Sequence, residues 1–207
     1  MVSDKFLVNS DAGRIAAAQY ATERFVADIG LKQHDALRLS LLVEETLGMV
    51  KVALDEFYGQ MWFEGDDKAC EIHFEATADM NAGKRRELLS VSRTGKNAAS
   101  RGFMAMLGDV ITNALYGFGR TMDAYGQETM RYGIVNDAGM MTPGGHDMTP
   151  IWTLQSYRTN LDRERENDLA AEAACEDLEK SIVGSLADDV VVGVDGDRIE
   201  LVITRKF

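Results

Sequence analysis

Val190-Val-Val-Gly-Val-Asp-Gly-Asp-Arg-Ile-Glu-Leu-Val-Ile-Thr-Arg205 reads as two β-branched runs around Asp195-Gly196. Asp-Gly tolerates the positive backbone angles of a tight turn, so the spacing predicts a hairpin of Val190–Val194 and Arg198–Arg205. Ile199, Leu201 and Ile203 alternate with polar residues, so one face of the last strand is buried and the other wetter. The chain therefore ends in antiparallel sheet.

Working back, Leu154–Leu186 reads as helical, with a charged middle at Asp162-Arg-Glu-Arg-Glu-Asn-Asp168 and an apolar face restored by Leu178, Ile182, Val183 and Leu186. A second hairpin is expected from Gln60–Glu64 and Cys70–Ala78 about the turn Glu64-Gly-Asp-Asp-Lys68. Ahead of it stand a short apolar strand, Phe6-Leu7-Val8, and two helices. The first starts at a Ser10 or Asp11 cap and stops at Gly30. The second opens around Lys32–Asp35, with an expected apolar stripe of Leu37, Leu41, Leu42, Met49, Val52 and Ala53 on which Glu45 also lies. A carboxylate facing a core is costly unless a backbone N–H, an Arg or a wet cleft satisfies it. Lys84–Val91 and Asn97–Phe118 read as further helices, the latter with Phe103, Met106, Leu107, Val110 and Ile111 on one face. Residues 117–149 hold seven glycines and Met122, Met130, Met140, Met141 and Met148, without periodicity. Such a segment is expected to be a long loop, either an adaptable recognition surface or a loosely packed insertion.

Bulk properties fit one domain of 207 residues with a sizeable core: 45% of residues are hydrophobic and 27% charged. A net charge of −12 supplies no basic face for phosphates or anionic lipid, so no nucleic acid or membrane partner is expected. Cys70 and Cys175 are too few and too far apart for a disulfide framework. His34, His73 and His146 lack ligand spacing, so no metal site is expected from them. Met1-Val-Ser-Asp-Lys5 lacks the apolar stretch of a signal peptide, which points to the cytoplasm.

The order strand, helix, helix, two strands, and later a helix with a final hairpin resembles the GHKL ATP-binding domains, especially the anti-sigma-factor serine kinases. Two stretches carry the resemblance: residues 11–55, with Leu41-Leu-Val-Glu-Glu-Thr-Leu-Gly-Met49, and Ser181-Ile-Val-Gly-Ser-Leu-Ala-Asp-Asp-Val190 with the strands after it. The resemblance implies a single domain over 1–207 with the histidine kinase-like ATPase fold. This is a two-layer α/β sandwich, α+β in class, with a mixed, mainly antiparallel sheet, helices on one face and an enlarged lid near 80–160. It implies ATP and Mg²⁺ as cofactors, with Glu45 as general base and Asp79 reading adenine beside Asn81 and Gly83.

The departures are specific. Met49 stands where the family has a metal-holding Asn, and a thioether is a poor ligand for Mg²⁺. The glycine spacing after Asp79 differs from the family's Asp-x-Gly-x-Gly. Cys175-Glu-Asp-Leu-Glu-Lys180 replaces a phosphate-approaching glycine box with three acidic residues. Thr94, Gly95 and Lys96, ahead of a helix start, form an alternative anion cradle, although a helix cap with a solvated lysine is the preferred reading of them. The expected function is thus a regulatory protein of this type with weakened or lost nucleotide binding, acting through a protein partner and, by resemblance, a homodimer. The alternatives are an active Mg-ATP-dependent serine kinase or ATPase, and a non-catalytic protein-binding module.

Overall fold

The computed structural model describes residues 1–54, 57–78, 102–103, 106–108, 110–111, 150–195 and 197–207. Its elements are β1 (Phe6–Asn9), α1 (Ala12–Ile29), α2 (Gln33–Leu54), β2 (Phe57–Gly65), β3 (Ala69–Ala78), β4 (Pro150–Thr153), α3 (Leu154–Glu164), α4 (Leu169–Lys180), α5 (Ile182–Leu186), β5 (Asp189–Asp195) and β6 (Arg198–Lys206). The strands form one sheet in the order β1-β2-β3-β6-β5-β4. Every described pairing is antiparallel, where a mixed, mainly antiparallel sheet was expected. The α+β sandwich itself is as expected.

Period-two alternation decides which face is buried. Ile72 opposes Phe63 and Ile203, and Phe74 opposes Met61 and Leu201. All six are buried, with Val190 and Val192 continuing the row onto β5. The helices close over this face: α1 lies against β1 and β2, α3 against β4 and β5, while α2 packs on α1 and α5. Phe103, Leu107, Val110 and Ile111 are helical and buried as their spacing predicts, and Phe103 reaches the rings of Trp152 and Tyr157 at 6.2 and 6.0 Å.

Local chemistry sets the element ends. Gly30 takes φ 70°, and its N–H and that of Leu31 bond back to Ala27 O and Val26 O, closing α1 in a Schellman-type cap. At the other end Asp11 sits at the N-cap position, but its carboxylate caps no helix N–H. It accepts instead from the Asn9 side chain at 3.1 Å. The single helix expected over Leu154–Leu186 is three helices. Asp168 Oδ1 accepts from Ala170 N at 2.9 Å and Ser181 Oγ from Gly184 N at 3.2 Å, so each side chain starts a new helix. Short polar side chains bond the backbone locally, and that competes with helix continuation.

Candidate functional site

On α2 the buried face is Leu39, Leu42, Val43, Thr46, Leu47 and Val50, which recur at three- and four-residue spacing. Thr46 is accommodated there because its Oγ1 donates to Leu42 O at 2.6 Å. This corrects the expected stripe, since Leu37 and Leu41 point to solvent. The cause lies in the sequence: leucines and valines occur all round α2 between positions 37 and 50, so periodicity alone does not select a face.

Met49 is buried at 4% exposure, within the core cluster. Glu45 occupies the neighbouring row, three residues after Leu42 and four before Met49, and is half-buried. Among the described residues its carboxylate takes part in no hydrogen bond or ion pair, so neither a backbone N–H nor an Arg satisfies it there, and partial contact with water does. Asp79, Asn81, Gly83, Thr94, Gly95 and Lys96 lie outside the described residues. Among the described residues no group of three or more His, Cys, Asp or Glu is arranged to hold a metal ion.

A second constellation occupies the opposite face of the sheet. His73 opposes Trp62 across the β2–β3 ladder, and their rings stack 4.9 Å apart at an interplanar angle of 5°. Both are buried. Glu71 Oε2 lies 3.3 Å from His73 Nε2. Lys5 Nζ sits 3.8 Å above the Trp62 ring and 3.9 Å from Glu75 Oε2. Glu75 also pairs with Arg198, which reaches Glu200 at 2.6 Å. The network thus runs from the N-terminal segment across β2 and β3 to β6. A half-exposed lysine over an aromatic ring contributes roughly 0.5–1 kcal/mol, and each exposed ion pair about 0–1 kcal/mol. These magnitudes suit a clasp that holds β1 and the residues before it in register. The sequence hides this pairing because Trp62 and His73 meet only once the Glu64–Lys68 turn fixes the register.

A third feature is a groove of about 320 Å³ among α3, α4 and α5, lined by Arg158, Cys175, Glu179 and Ser185. Arg158 is already committed there: its guanidinium donates to the carbonyls of Gly184, Ala187 and Asp188 at 2.6, 3.2 and 3.0 Å. It ties α3 to the chain leaving α5 and leaves little donor capacity for an anion. Burial raises the Cys175 thiol above its ordinary range, and Cys70, buried beside Glu71, is pushed up to about 12. Neither thiol has the low pKa of a nucleophile.

No protein-family model matches the sequence, and no curated protein or solved structure matches the chain. Among the described residues no helix is long and apolar enough to cross a membrane.

Proposed function

We propose that this chain is a regulatory domain built on the GHKL plan, in which magnesium-dependent nucleotide chemistry has been lost and the protein acts through contact with a protein partner. The observation that carries the reading is Met49. It sits one turn from Glu45 on α2, where the resembled family offers a metal-holding Asn, and it is packed into the core. A buried thioether offers Mg²⁺ no oxygen ligand and leaves no room for one. The order β1, α1, α2, β2, β3 and then α5, β5, β6 supports the resemblance, with β2, β3, β6 and β5 side by side. Glu176, Asp177 and Glu179 near the end of α4 disfavour a triphosphate approaching α5. Two free buried thiols suit a reducing, cytoplasmic setting, and the net charge of −12 disfavours nucleic acid as the partner.

The test is a turnover assay with Mg-ATP over a wide concentration range. No phosphate release above the buffer rate is expected, either from the wild type or from Glu45→Gln. The competing reading, an active serine kinase or ATPase, draws on Glu45, half-buried in the middle of α2 beside its core face, turning toward a nucleotide. Magnesium-dependent turnover abolished by Glu45→Gln would establish that reading and remove the one proposed.

A further inference from the structure

The sheet ends at β1, and the chain along that edge is longer than the strand itself. Ser3 N donates to Phe63 O and Gly65 N to Met1 O, each at 2.9 Å, and Val2 bridges Glu64, so the chain from Met1 to Asn9 runs along β2. In an edge strand every second residue turns its N–H and C=O away from the sheet, which is a template for another strand. Proline, an outward lysine or a covering element blunts most such edges. Residues 1–9 hold no proline, and their one lysine, Lys5, is turned over the Trp62 ring. The register shows how open the edge is. Val2 stands across from Glu64, Leu7 from Gln60 and Asn9 from Tyr58, and Tyr58, Gln60 and Glu64 alternate along β2, so Val2, Leu7 and Tyr58 share the face opposite the core. Val2 is 59% exposed, Leu7 63% and Tyr58 71%. With Met1 they make four of the eight exposed large apolar side chains among the described residues, the other four being spread over α1, α2 and α4. Single exposed apolar residues are ordinary, whereas a cluster marks a contact surface.

Charge selects the occupant. Asp4, Asp11 and Glu64 are exposed carboxylates along this edge. Lys5, the only Lys or Arg among residues 1–11, is committed to the Trp62 ring and to Glu75. An incoming acidic strand would meet like charge here, whereas lysines or arginines set between apolar residues would meet opposite charge. The net charge of −12 draws such a segment in from a distance. In strand addition the main-chain hydrogen bonds supply affinity and the alternate side chains supply specificity. Leu7 and Val2 offer the apolar contact and the carboxylates select the sign of the charge.

We infer that the free edge of β1 docks an extended segment of a partner protein, apolar at alternate positions and basic between them, which joins the six-stranded sheet as a further strand. The inference rests on the proposed action through a protein partner and names the surface that action uses. The probe is a synthetic capped peptide of alternating Lys and Val. It is compared with its Glu–Val counterpart and with a Lys–Val peptide broken by one central Pro. Each is offered to the full chain at about 1 mM, which fills about nine-tenths of a site with a Kd of about 100 µM. The Lys–Val peptide should slow backbone hydrogen exchange across residues 2–9, and the Pro-broken peptide, lacking one N–H, should do so less. Its affinity should exceed that of the Glu–Val peptide by roughly tenfold or more, a preference that shrinks at high salt and when Asp4→Lys and Asp11→Lys are combined. Leu7→Ser and Tyr58→Ser should each weaken binding about three- to tenfold, while Leu41→Ser, on α2, should leave it unchanged. All of these side chains are exposed, so the variants should keep the wild-type melting temperature. No added protection at residues 2–9 overturns the inference, as does equal affinity for the Lys–Val and Glu–Val peptides, or binding that Leu41→Ser weakens as much as Leu7→Ser. Self-association of the chain alone that Leu7→Ser abolishes would make the occupant a second copy and overturns it too. Phosphate release from Mg-ATP is read separately, so failure here leaves the loss of nucleotide chemistry standing.

Discussion

Restoring the resembled family's residue at position 49 separates a core from a cleft. Met49→Asn removes a side chain that is 4% exposed and packed with the buried residues of the two layers. Emptying a buried Met site to Ala-like volume costs about 2–5 kcal/mol. An amide refills part of that volume but adds donors and an acceptor to an apolar surrounding, at roughly 1–3 kcal/mol if they stay unpaired. The expected net loss is about 3–5 kcal/mol. In a chain of 207 residues each kcal/mol moves the melting temperature by about 2–4 °C, so a fall of about 6–20 °C is expected. Urea unfolding followed by circular dichroism checks it, with a lower midpoint at unchanged slope. No affinity for Mg-ATP should appear in the variant. A loss below about 1 kcal/mol, or new magnesium-dependent nucleotide binding, would show that position 49 faces an open cleft and would refute the reasoning.

Other outcomes follow from the same structure. Because burial pushes Cys70 up to about 12, the unfolded chain loses that proton near its ordinary value of about 8.5 and the folded chain does not. Its contribution is complete below about pH 8.5 and falls by about 1.4 kcal/mol per pH unit above it, until the folded thiol ionises near 12. Chemical denaturation of wild type and Cys70→Ala between pH 8 and 11 should show the wild type losing stability more steeply, by this slope, than the variant, which keeps the raised Cys175. A thiol reagent at pH 8 should modify native Cys70 only as fast as the protein opens. Gly65→Ala should cost about 2–3 kcal/mol, since Gly65 adopts φ 154° and an added Cβ would meet Ala69 O across the β2–β3 turn. Thermal unfolding at neutral pH checks it. Lys5→Ala removes the cation above Trp62 and should cost no more than about 1 kcal/mol at low salt, and less at high salt.

Both hairpins were legible because turn chemistry and period-two alternation agree. Glu64–Lys68 and Asp195-Gly196 fix where the chain reverses, and Ile72, Phe74, Leu201 and Ile203 then fall on one face. α2 was legible as a helix but not in its rotation. With apolar residues at 37, 39, 41, 42, 43, 47, 49 and 50, only packing against α1 and α5 decides that Leu39 goes in and Leu37 stays out. The breaks at Asp168 and Ser181 fall at short polar residues that favour caps, but the long helical pattern on either side masked them until the cap hydrogen bonds were seen. Of the candidate site, Glu45 and Met49 were named from sequence, but that Met49 is packed inside while Glu45 stands beside it in partial contact with water is a tertiary fact. The Trp62–His73 stack needs the exact register of the β2–β3 hairpin, and the Lys5–Glu75–Arg198 chain joins residues far apart in sequence that meet only once the sheet order is known.

The proposed function is that of a GHKL-like regulatory domain without nucleotide chemistry. The most direct measurement is thermal unfolding with and without millimolar Mg-ATP, Mg-ADP and a non-hydrolysable ATP analogue. A ligand present at about 100 times its dissociation constant stabilises the folded state by roughly 2.7 kcal/mol, or about 5–11 °C here. The account predicts no shift with any of the three. A clear magnesium-dependent shift that Glu45→Ala diminishes would contradict it and place a working nucleotide site beside α2.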